Sequence, residues 1–278
     1  MADSGTGTNG TGRTILITGA SDGLGRALAQ RAADSGATLL LHGRTEERIA
    51  PVATELRDRG ATVRTYTADL ASLEEIRAMA DAVLAAEPRL DVLVNNAGIG
   101  ARNGDGGRER QETPQGVELR FAVNYLADYL LTRLLLPRLR ESAPARIVHV
   151  SSAAQAALDF DDVMLTKDYR GGRAYAQSKL AQILFSVDLA EELEGSGVTS
   201  TALHPSTYMP TKIVNADPMS TLEQGVEATW RLIADPTLDG VTGRYFDVTE
   251  EQSADPQAYD PEARRRLREL SEQLVGPA

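Results

Sequence analysis

The chain has 278 residues and is acidic, with 29 Lys and Arg against 40 Asp and Glu and a net charge of −11. This length suits one α/β domain with a substantial core, and the negative charge argues against a nucleic-acid partner. The absence of cysteine excludes disulfides and thiol chemistry, and His42, His149 and His204 lack the spacing of metal ligands. We therefore expect no metal site.

The first residues, 1–12, are rich in Gly, Thr, Ser and Asn and lack the apolar segment of a signal peptide. We interpret them as a disordered leader. No part of the chain approaches the roughly 20 consecutive apolar residues that a membrane-spanning helix needs. We therefore expect a cytoplasmic protein with no membrane-spanning segment.

Short apolar runs alternate with helical patterns along the chain. The runs predict strands at 14–18, 37–42, 61–67, 91–95, 146–151 and 198–204. The helical patterns lie at 23–35, 46–60, 72–86, 114–140 and 173–195. Continuously apolar strands separated by helices are typical of a parallel sheet buried on both faces, and right-handed crossovers would wind it in both directions. We expect a single Rossmann-like α/β domain at 13–250, a doubly wound parallel sheet with helices on both faces. A helical extension at 251–278 should pack on it.

A glycine-rich segment, Thr18-Gly19-Ala20-Ser21-Asp22-Gly23-Leu24-Gly25, follows the first strand and opens the first helix. Gly19 permits a tight turn, Gly23 lets the backbone approach a pyrophosphate, and Gly25 lets the helix pack closely. The free N–H groups of the helix N-terminus favour a phosphate there. A turn that serves only strand–helix packing is the alternative, and the position after the first strand argues against it. The predicted phosphate contacts are Gly19, Ser21, Asp22, Gly23 and Leu24.

This Thr-Gly-x-x-x-Gly-x-Gly pattern resembles the short-chain dehydrogenase/reductase family, in its compact single-domain branch, over about residues 13–250. A second family motif is present as Asn95-Asn96-Ala97-Gly98 at the end of the fourth strand. The resemblance implies an oxidoreductase that acts on a small-molecule carbonyl or alcohol with a nicotinamide cofactor. It also implies that Asn96 and Ala97 line the adenosine side of the cofactor, and that the protein is a homodimer or homotetramer.

The end of the second strand is where the two nicotinamide cofactors are distinguished. This chain has Arg44 there, where NAD enzymes usually place an acidic residue, and Arg44 can pair with a 2′-phosphate. Asp69 and Leu70, after the third strand, resemble the pair that holds adenine. Asp22 departs from the basic residue that many NADP enzymes carry, and a solvated surface charge is the alternative role for Arg44. The pattern favours NADP, with NAD as the second option.

Tyr175 and Lys179 match the family's Tyr-x-x-x-Lys motif. At positions i and i+4 of a helix the two side chains share one face. A nearby ammonium favours the phenolate and lowers the pKa of tyrosine from near 10 towards the range useful for acid–base catalysis. The resemblance adds that Lys179 holds the nicotinamide ribose. An unrelated Tyr and Lys on an amphipathic helix is the alternative, and the other motifs argue against it.

The resemblance supplies two further catalytic candidates. Ser152, after the fifth strand, would hold the substrate oxygen beside Tyr175, and its neighbour Ser151 is the second-ranked, more structural candidate. Asn124 matches the fourth catalytic position and would hold a water that relays protons through Lys179. Its alternative role is to satisfy the carbonyls of a kinked helix, and the two roles are compatible.

Two segments depart from the usual pattern. Ser152 and Tyr175 are 23 residues apart, which resembles the insertion of retinol-dehydrogenase-like members. Leu158, Phe160 and Met164 lie in this insertion and are expected to wall a substrate pocket. The loop at 100–107 looks mobile.

After the sixth strand, the family's Pro-Gly motif, which ends in Thr, reads Pro205-Ser206-Thr207-Tyr208-Met209-Pro210-Thr211. We expect Pro205 to lie at the cofactor, Tyr208 and Met209 to face the substrate, and residues 209–219 to form a flap over the site. The change from Gly to Ser and the later Thr leave the nicotinamide contacts of this segment open.

The combined motifs predict a carbonyl reductase or alcohol dehydrogenase for a lipophilic substrate. A non-catalytic dinucleotide-binding sensor is the first alternative, and it would bind cofactor without turnover. A sugar-nucleotide epimerase or dehydratase is the second. The short region after the sixth strand argues against it, because those relatives carry a larger substrate domain.

Overall fold

The central strands are apolar at successive positions, and successive side chains point to opposite faces of the sheet. A hydrophobic core therefore lies on each face. In β1, for example, Ile15 and Ile17 belong to one core and Leu16 to the other. We describe residues 12–102, 107–211 and 217–276 of a computed structural model. Within them the strands are β1 (Thr14–Ile17), β2 (Thr38–Gly43), β3 (Thr62–Thr67), β4 (Val92–Asn95), β5 (Ala145–Val150), β6 (Val198–His204), β7 (Arg244–Asp247) and β8 (Glu250–Gln252).

The strand order is β3-β2-β1-β4-β5-β6-β7-β8, with β1 to β7 parallel and β8 antiparallel to β7. The predicted doubly wound sheet is therefore confirmed, with one antiparallel edge strand that the sequence did not predict. The order reverses between β1 and β4, so a crevice forms beyond the carboxyl ends of these two strands. The glycine-rich loop and the Asn-Asn-Ala-Gly motif both lie at this crevice.

Helices cover both faces of the sheet. They are α1 (Gly23–Ala33), α2 (Glu46–Asp58), α3 (Leu73–Ala86), α4 (Leu119–Phe121), α5 (Ala127–Glu141), α6 (Gly171–Glu192), α7 (Leu222–Ala234) and α8 (Pro261–Val275). The core beside α1, α2 and α7 is separate from the core beside α3, α5, α6 and α8. No helix in these described ranges is both long enough and apolar enough to span a bilayer.

One predicted helix is shorter and less regular than its pattern indicates. The pattern covers 114–140, whereas the helix begins at Leu119, because Glu112 and Glu118 form a β-bridge and the Glu118 carboxylate caps the Phe121 N–H at 2.8 Å. Between α4 and α5 the backbone forms a π-helical turn at Ala122–Leu126. Such turns are frequent at functional sites, and this one carries Asn124.

The C-terminal helix α8 packs on α6. Arg268 contacts both carboxylate oxygens of Asp188 at 2.8 Å, and Arg264 contacts Glu191 at 2.6 Å. Ser271 shares a 2.6 Å hydrogen bond with the buried Tyr125 hydroxyl. This end of the chain therefore braces the helix that carries Tyr175 and Lys179. The predicted leader lies almost wholly outside the described residues, as do residues 103–106 of the predicted mobile loop and 212–216 of the predicted flap.

Candidate active site

The glycine-rich loop contacts the end of β4 so closely that side chains would not fit. A Cβ at Gly19, whose φ is +67°, would lie 2.9 Å from the Ala97 Cα. A Cβ at Gly25 would lie 2.3 Å from the Gly19 carbonyl oxygen and 2.5 Å from Asn96 Nδ2. Glycine at 25 thus serves the packing of the helix start against its own loop. These contacts hold the loop at the mouth of the crevice.

The first turn of α1 is where a pyrophosphate would bind, and one of its N–H groups is already taken. Asp22 accepts the Gly23 N–H at 2.8 Å and is the N-cap of the helix. The following first-turn N–H groups have no partner within the helix. Ser21 and Gly23 are partly exposed beside them, while Leu24 is buried. The loop therefore fits a phosphate, with the Asp22 carboxylate acting as a cap on the same helix end.

Thr18 is a residue whose role the sequence did not reveal. Its buried hydroxyl accepts the N–H groups of Asn96 and Ala97, each at 2.9 Å, and the Asn96 side chain donates to the Thr18 carbonyl at 2.7 Å. Asn96 and Ala97 are thereby fixed against the loop after β1. The signal was the position of Thr18 at the start of the glycine motif, where a hydroxyl can satisfy two backbone donors.

His42, at the end of β2, also helps to hold the glycine-rich loop in place. Its Nδ1 accepts the Gly19 N–H at 3.1 Å, which leaves Nε2 to donate to the Ala68 carbonyl at 3.0 Å. Burial lowers the pKa of His42, so the ring is neutral and keeps this tautomer. The histidine therefore ties the glycine loop to the end of β3.

Arg44 lies at the exposed end of β2, beside the adenosine side of the crevice. Within the described ranges its guanidinium forms no ion pair, although ion pairs engage many other arginines, Arg26 with Glu55 among them. Asp69 follows β3, and its carboxylate accepts the Ala71 N–H at 3.0 Å. Leu70 is buried in the core beneath it. The structure therefore brings the predicted cofactor-selecting and adenine-side residues to one edge of the sheet.

The π-helical turn aims the Asn124 side chain at the segment after β4. Its amide donates to the Ile99 carbonyl at 3.1 Å and to the Ser178 hydroxyl at 3.0 Å, while its oxygen accepts the Ile99 N–H at 2.8 Å. The expected alternative, an amide that satisfies the carbonyls of its own kinked helix, is wrong, because its partners lie on other elements. Asn124 braces β4, the turn and α6 around the lysine. A Cβ at Gly98 would lie 3.6 Å from Lys179 Nζ, so glycine keeps the approach to that ammonium open.

Tyr175 and Ser152 meet where β5 and α6 converge. The Ser152 hydroxyl accepts the Ala154 N–H at 3.0 Å, and it lies close enough to Tyr175 to act on the pKa of the phenol. Ser151 instead donates to the Lys179 carbonyl at 2.7 Å. The two serines thus face different partners, with Ser152 beside the phenol and Ser151 bonded to the backbone of α6.

Lys179 lies behind Tyr175, with Nζ 5.9 Å from the centre of the phenol ring. The ammonium donates to the Val150 carbonyl at 2.9 Å and to Gln182 Oε1 at 2.8 Å. Burial raises the pKa of Tyr175, and the nearby Ser152 hydroxyl acts in the opposite direction. The net shift of the Tyr175 pKa is therefore upward, opposite to the predicted lowering, because burial of the phenol is the largest influence on it.

The insertion between Ser152 and Tyr175 packs largely against the C-terminal segment. Leu158 is buried, and its backbone exchanges two hydrogen bonds with the Gln257 side chain, at 2.6 and 3.0 Å. Phe160 lies under the Arg266 guanidinium, 4.7 Å from ring centre to carbon. The Met164 carbonyl accepts from Arg110 at 2.8 Å. Leu158 is thus buried in the core, and Phe160 and Met164 are partly buried at its edge. Their role as walls of a substrate pocket stays a prediction.

The segment after β6 only partly matches the predicted flap. Pro205 and Ser206 are buried, and the Ser206 hydroxyl donates to Gln224 at 3.1 Å in α7. Met209 does not face the substrate as expected, because it is buried against Gly225 in the core beside α1 and α7. Thr211 lies beside Gly23, since a Cβ added at Gly23 would be 3.4 Å from the methyl carbon of Thr211. A threonine one position later in sequence thus still reaches the phosphate loop.

The comparisons with known proteins agree with this geometry. The sequence model of the family described as short chain dehydrogenase matches residues 13–219. The chain belongs to the short-chain dehydrogenase family, and it is an oxidoreductase with a Rossmann-like fold.

Among relatives, human retinol dehydrogenase 14 is 36% identical over 95% of this chain and 87% of its own length. A solved structure of an uncharacterised protein from Mycobacterium paratuberculosis is 30% identical and has a TM-score of 0.75, covering 95% of this chain and 94% of that one. A Beutenbergia cavernae protein assigned as an NAD(P)-dependent gluconate 5-dehydrogenase, solved with NADP at low occupancy, is 30% identical with a TM-score of 0.69. The match covers 87% of this chain and 97% of that one.

Proposed function

We propose that the protein transfers a hydride between NADP(H) and a carbonyl/secondary alcohol pair on a lipophilic small molecule, with Tyr175 as the general acid and base. The observation that carries this proposal is the grouping of Ser152, Tyr175 and Lys179 where β5 and α6 converge, with Lys179 Nζ 5.9 Å from the centre of the phenol ring. The retinol dehydrogenase relatives support alcohol or carbonyl substrates and a lipophilic substrate class. The grouping of these side chains and the substrate class of the relatives both fit an acid–base reduction of a carbonyl.

NADPH, when bound, supplies the hydride. The Ser152 hydroxyl orients the carbonyl oxygen beside Tyr175, whose raised pKa keeps the phenol protonated at neutral pH. The phenol can therefore donate its proton to that oxygen as negative charge develops there. Lys179 then stabilises the phenolate through its ammonium, and Gly98 leaves room in front of Nζ for a ribose hydroxyl.

The predicted cofactor contacts fit a dinucleotide along the carboxyl edge of the sheet. Gly19 and Gly23 would face the pyrophosphate, Asp69 and Leu70 the adenine, and Pro205 the nicotinamide end. The exposed Arg44 supports NADP over NAD, because its guanidinium is available for charge-assisted hydrogen bonds to a 2′-phosphate. The neighbouring Thr45 is the N-cap of α2 and makes no side-chain capping bond, so this helix start can also donate to the phosphate.

Replacing Arg44 by Asp should turn the cofactor preference towards NAD. The exchange removes a charge-assisted bond worth about 1.5–3 kcal/mol, so the NADPH-to-NADH ratio of kcat/KM should fall by about 10- to 100-fold. Steady-state kinetics with both cofactors measure this ratio. Arg48→Asp on the exposed face of α2 makes the same charge change and should leave the ratio within about twofold. An unchanged ratio in Arg44→Asp would remove Arg44 from cofactor selection.

Location and assembly stay predictions that rest on the sequence and the family. We propose a cytoplasmic protein that forms a homodimer or homotetramer. Cell fractionation tests the first, and sedimentation of the purified full chain tests the second. A monomer across the micromolar range, or recovery with the membrane fraction, would contradict the respective proposal.

A further inference from the structure

A buried chain of polar side chains extends from Lys179 away from the crevice. Lys179 Nζ donates to Gln182 Oε1 at 2.8 Å, and Gln182 Nε2 donates to Asp128 Oδ2 at 2.5 Å. Lys179 is 5% exposed, Gln182 0% and Asp128 1%. The orientation of the amide follows from its two partners, since its oxygen must face the ammonium and its nitrogen the carboxylate. The side chains therefore form an ammonium–amide–carboxylate series shielded from solvent.

The sequence places these groups together through helix geometry. Lys179 and Gln182 are three residues apart on α6 and share a face. Asp128 lies at the start of α5, directly after the π-helical turn. In the part of the chain that the structure describes, neither Lys179 nor Asp128 forms a direct ion pair. Gln182 thus connects the two oppositely charged groups by hydrogen bonds and fixes their relative positions.

The charges of Lys179 and Asp128 affect each other's protonation, so this arrangement does more than pack the core. A buried ammonium loses its hydration, and burial lowers the pKa of Lys179 while the Asp128 carboxylate raises it. Burial raises the pKa of Asp128, and the Lys179 ammonium lowers it. The other titratable group in this layer is His149 on β5, whose pKa burial and Lys179 lower to about 3, so it stays neutral. Asp128 is therefore the negative charge that favours a protonated Lys179.

The carboxylate also retains unused hydrogen-bonding capacity. Asp128 Oδ1 is buried without a partner among the described residues, as are His149 Nε2 and Asn95 Oδ1. Asn95 donates to Thr132 at 2.9 Å, one helical turn beyond Asp128 on α5. Gln182 is therefore the one hydrogen-bond partner that the described residues give the Asp128 carboxylate.

We propose that Asp128 is a positioning residue for the active site: through Gln182 it fixes Lys179 Nζ behind Tyr175 and keeps that lysine in its ammonium form. This inference rests on the proposed function. The ammonium in turn stabilises the Tyr175 phenolate that remains after proton donation. Asp128 itself touches neither the crevice nor the phenol.

The test is the pH profile of carbonyl reduction in Asp128→Asn, which keeps the shape and removes the charge. Without Asp128, the pKa of Lys179 falls, and an unbalanced ammonium also lowers the pKa of Tyr175. Because of both changes, the form active in reduction, in which Tyr175 and Lys179 are protonated, is lost at a lower pH than in the wild-type enzyme. The basic limb of kcat/KM should therefore move down by about one pH unit or more. A purely structural role would lower kcat/KM at all pH values without moving this limb.

The matched control is Asp188→Asn, the same substitution on α6 at a half-buried carboxylate that pairs with Arg268. Its basic limb should coincide with that of the wild-type enzyme. If Asp128→Asn does not fold, Gln182→Met removes the link while keeping a similar volume and should move the limb in the same direction. An unshifted limb in the folded variant would overturn the role of Asp128 and leave the proposed function intact.

A second readout does not depend on turnover. The chain contains three lysines, Lys167, Lys179 and Lys212, so the ammonium signals of isotope-labelled lysine can be assigned by substitution. Titration by nuclear magnetic resonance should give a lower Lys179 pKa in Asp128→Asn than in the wild-type protein. An equal pKa in both proteins would overturn the inference. A wild-type enzyme that reduces no carbonyl would overturn the proposed function and with it this role.

Discussion

Tyr175→Phe should lower kcat/KM for carbonyl reduction by about 10²- to 10⁴-fold, the usual contribution of a general acid or base. The phenyl ring keeps the shape of the side chain but cannot give a proton to the substrate oxygen beside Ser152. Cofactor binding should stay within about twofold of the wild-type value, because the proposed pyrophosphate and adenosine contacts lie elsewhere. Steady-state kinetics and a fluorescence titration with NADPH measure the two quantities.

The control for this experiment is Tyr259→Phe, which removes the same hydroxyl from an exposed tyrosine in the C-terminal segment. That hydroxyl accepts the Ala254 N–H at 2.9 Å and contacts no residue of the proposed site. Its kcat/KM should match that of the wild-type enzyme. Activity of Tyr175→Phe within tenfold of wild type would refute the assignment of Tyr175 as acid and base.

Gly25→Ala should damage both the phosphate loop and the stability of the fold. The added methyl carbon would lie 2.3 Å from the Gly19 carbonyl oxygen and 2.5 Å from Asn96 Nδ2, so the loop must move. Overpacking of this kind costs about 1–3 kcal/mol of unfolding free energy. A displaced loop should also bind NADPH at least about tenfold more weakly. Denaturant unfolding and calorimetric titration measure these changes.

Gly172→Ala is the matched comparison, since a Cβ there meets nothing within 4 Å and the residue lies in the first turn of α6. It should leave binding unchanged and alter stability by no more than about 1 kcal/mol in the favourable direction. Equal NADPH affinity in Gly25→Ala and the wild-type protein would show that the loop does not position the cofactor.

The fold was predictable because its signals are local and repeated. Strands β1, β2, β4 and β5 each contain an apolar run, and successive residues such as Ile15 and Leu16 enter opposite cores. Strand β7 was missed because only Tyr245 and Phe246 in it are buried, and β8 because its residues, 250–252, are all exposed. The start of the helix near Leu119 was misplaced, since a β-bridge and a side-chain cap, rather than propensity, decide it.

The site was predictable only where a residue type itself carries the chemistry. Tyr175, Lys179, Ser152 and Asn124 stand in motifs, and the structure brings them to one crevice. The partners of these residues depend on tertiary contacts between distant segments: Asp128 and Gln182 are 54 positions apart. Met209 looked like a substrate contact from its place after β6, yet the packing of α7 buries it.

The raised pKa of Tyr175 is the clearest case of a tertiary effect that sequence spacing misjudges. Four-residue spacing places Lys179 on the same helix face, but it does not say which acceptors its ammonium finds. Here Val150 and Gln182 take those hydrogen bonds, and burial of the phenol dominates. Burial thus keeps the Tyr175 phenol protonated at neutral pH.

The most direct measurement of the central claim follows a deuterium label from the cofactor. NADPH deuterated at its reactive ring carbon is incubated with the enzyme and a panel of lipophilic ketones and aldehydes, and the products are analysed by mass spectrometry. Our account predicts an alcohol with one deuterium on its carbinol carbon, formed by the wild-type protein and lost in Tyr175→Phe. NADPH binding without labelled alcohol from any member of the panel would contradict it.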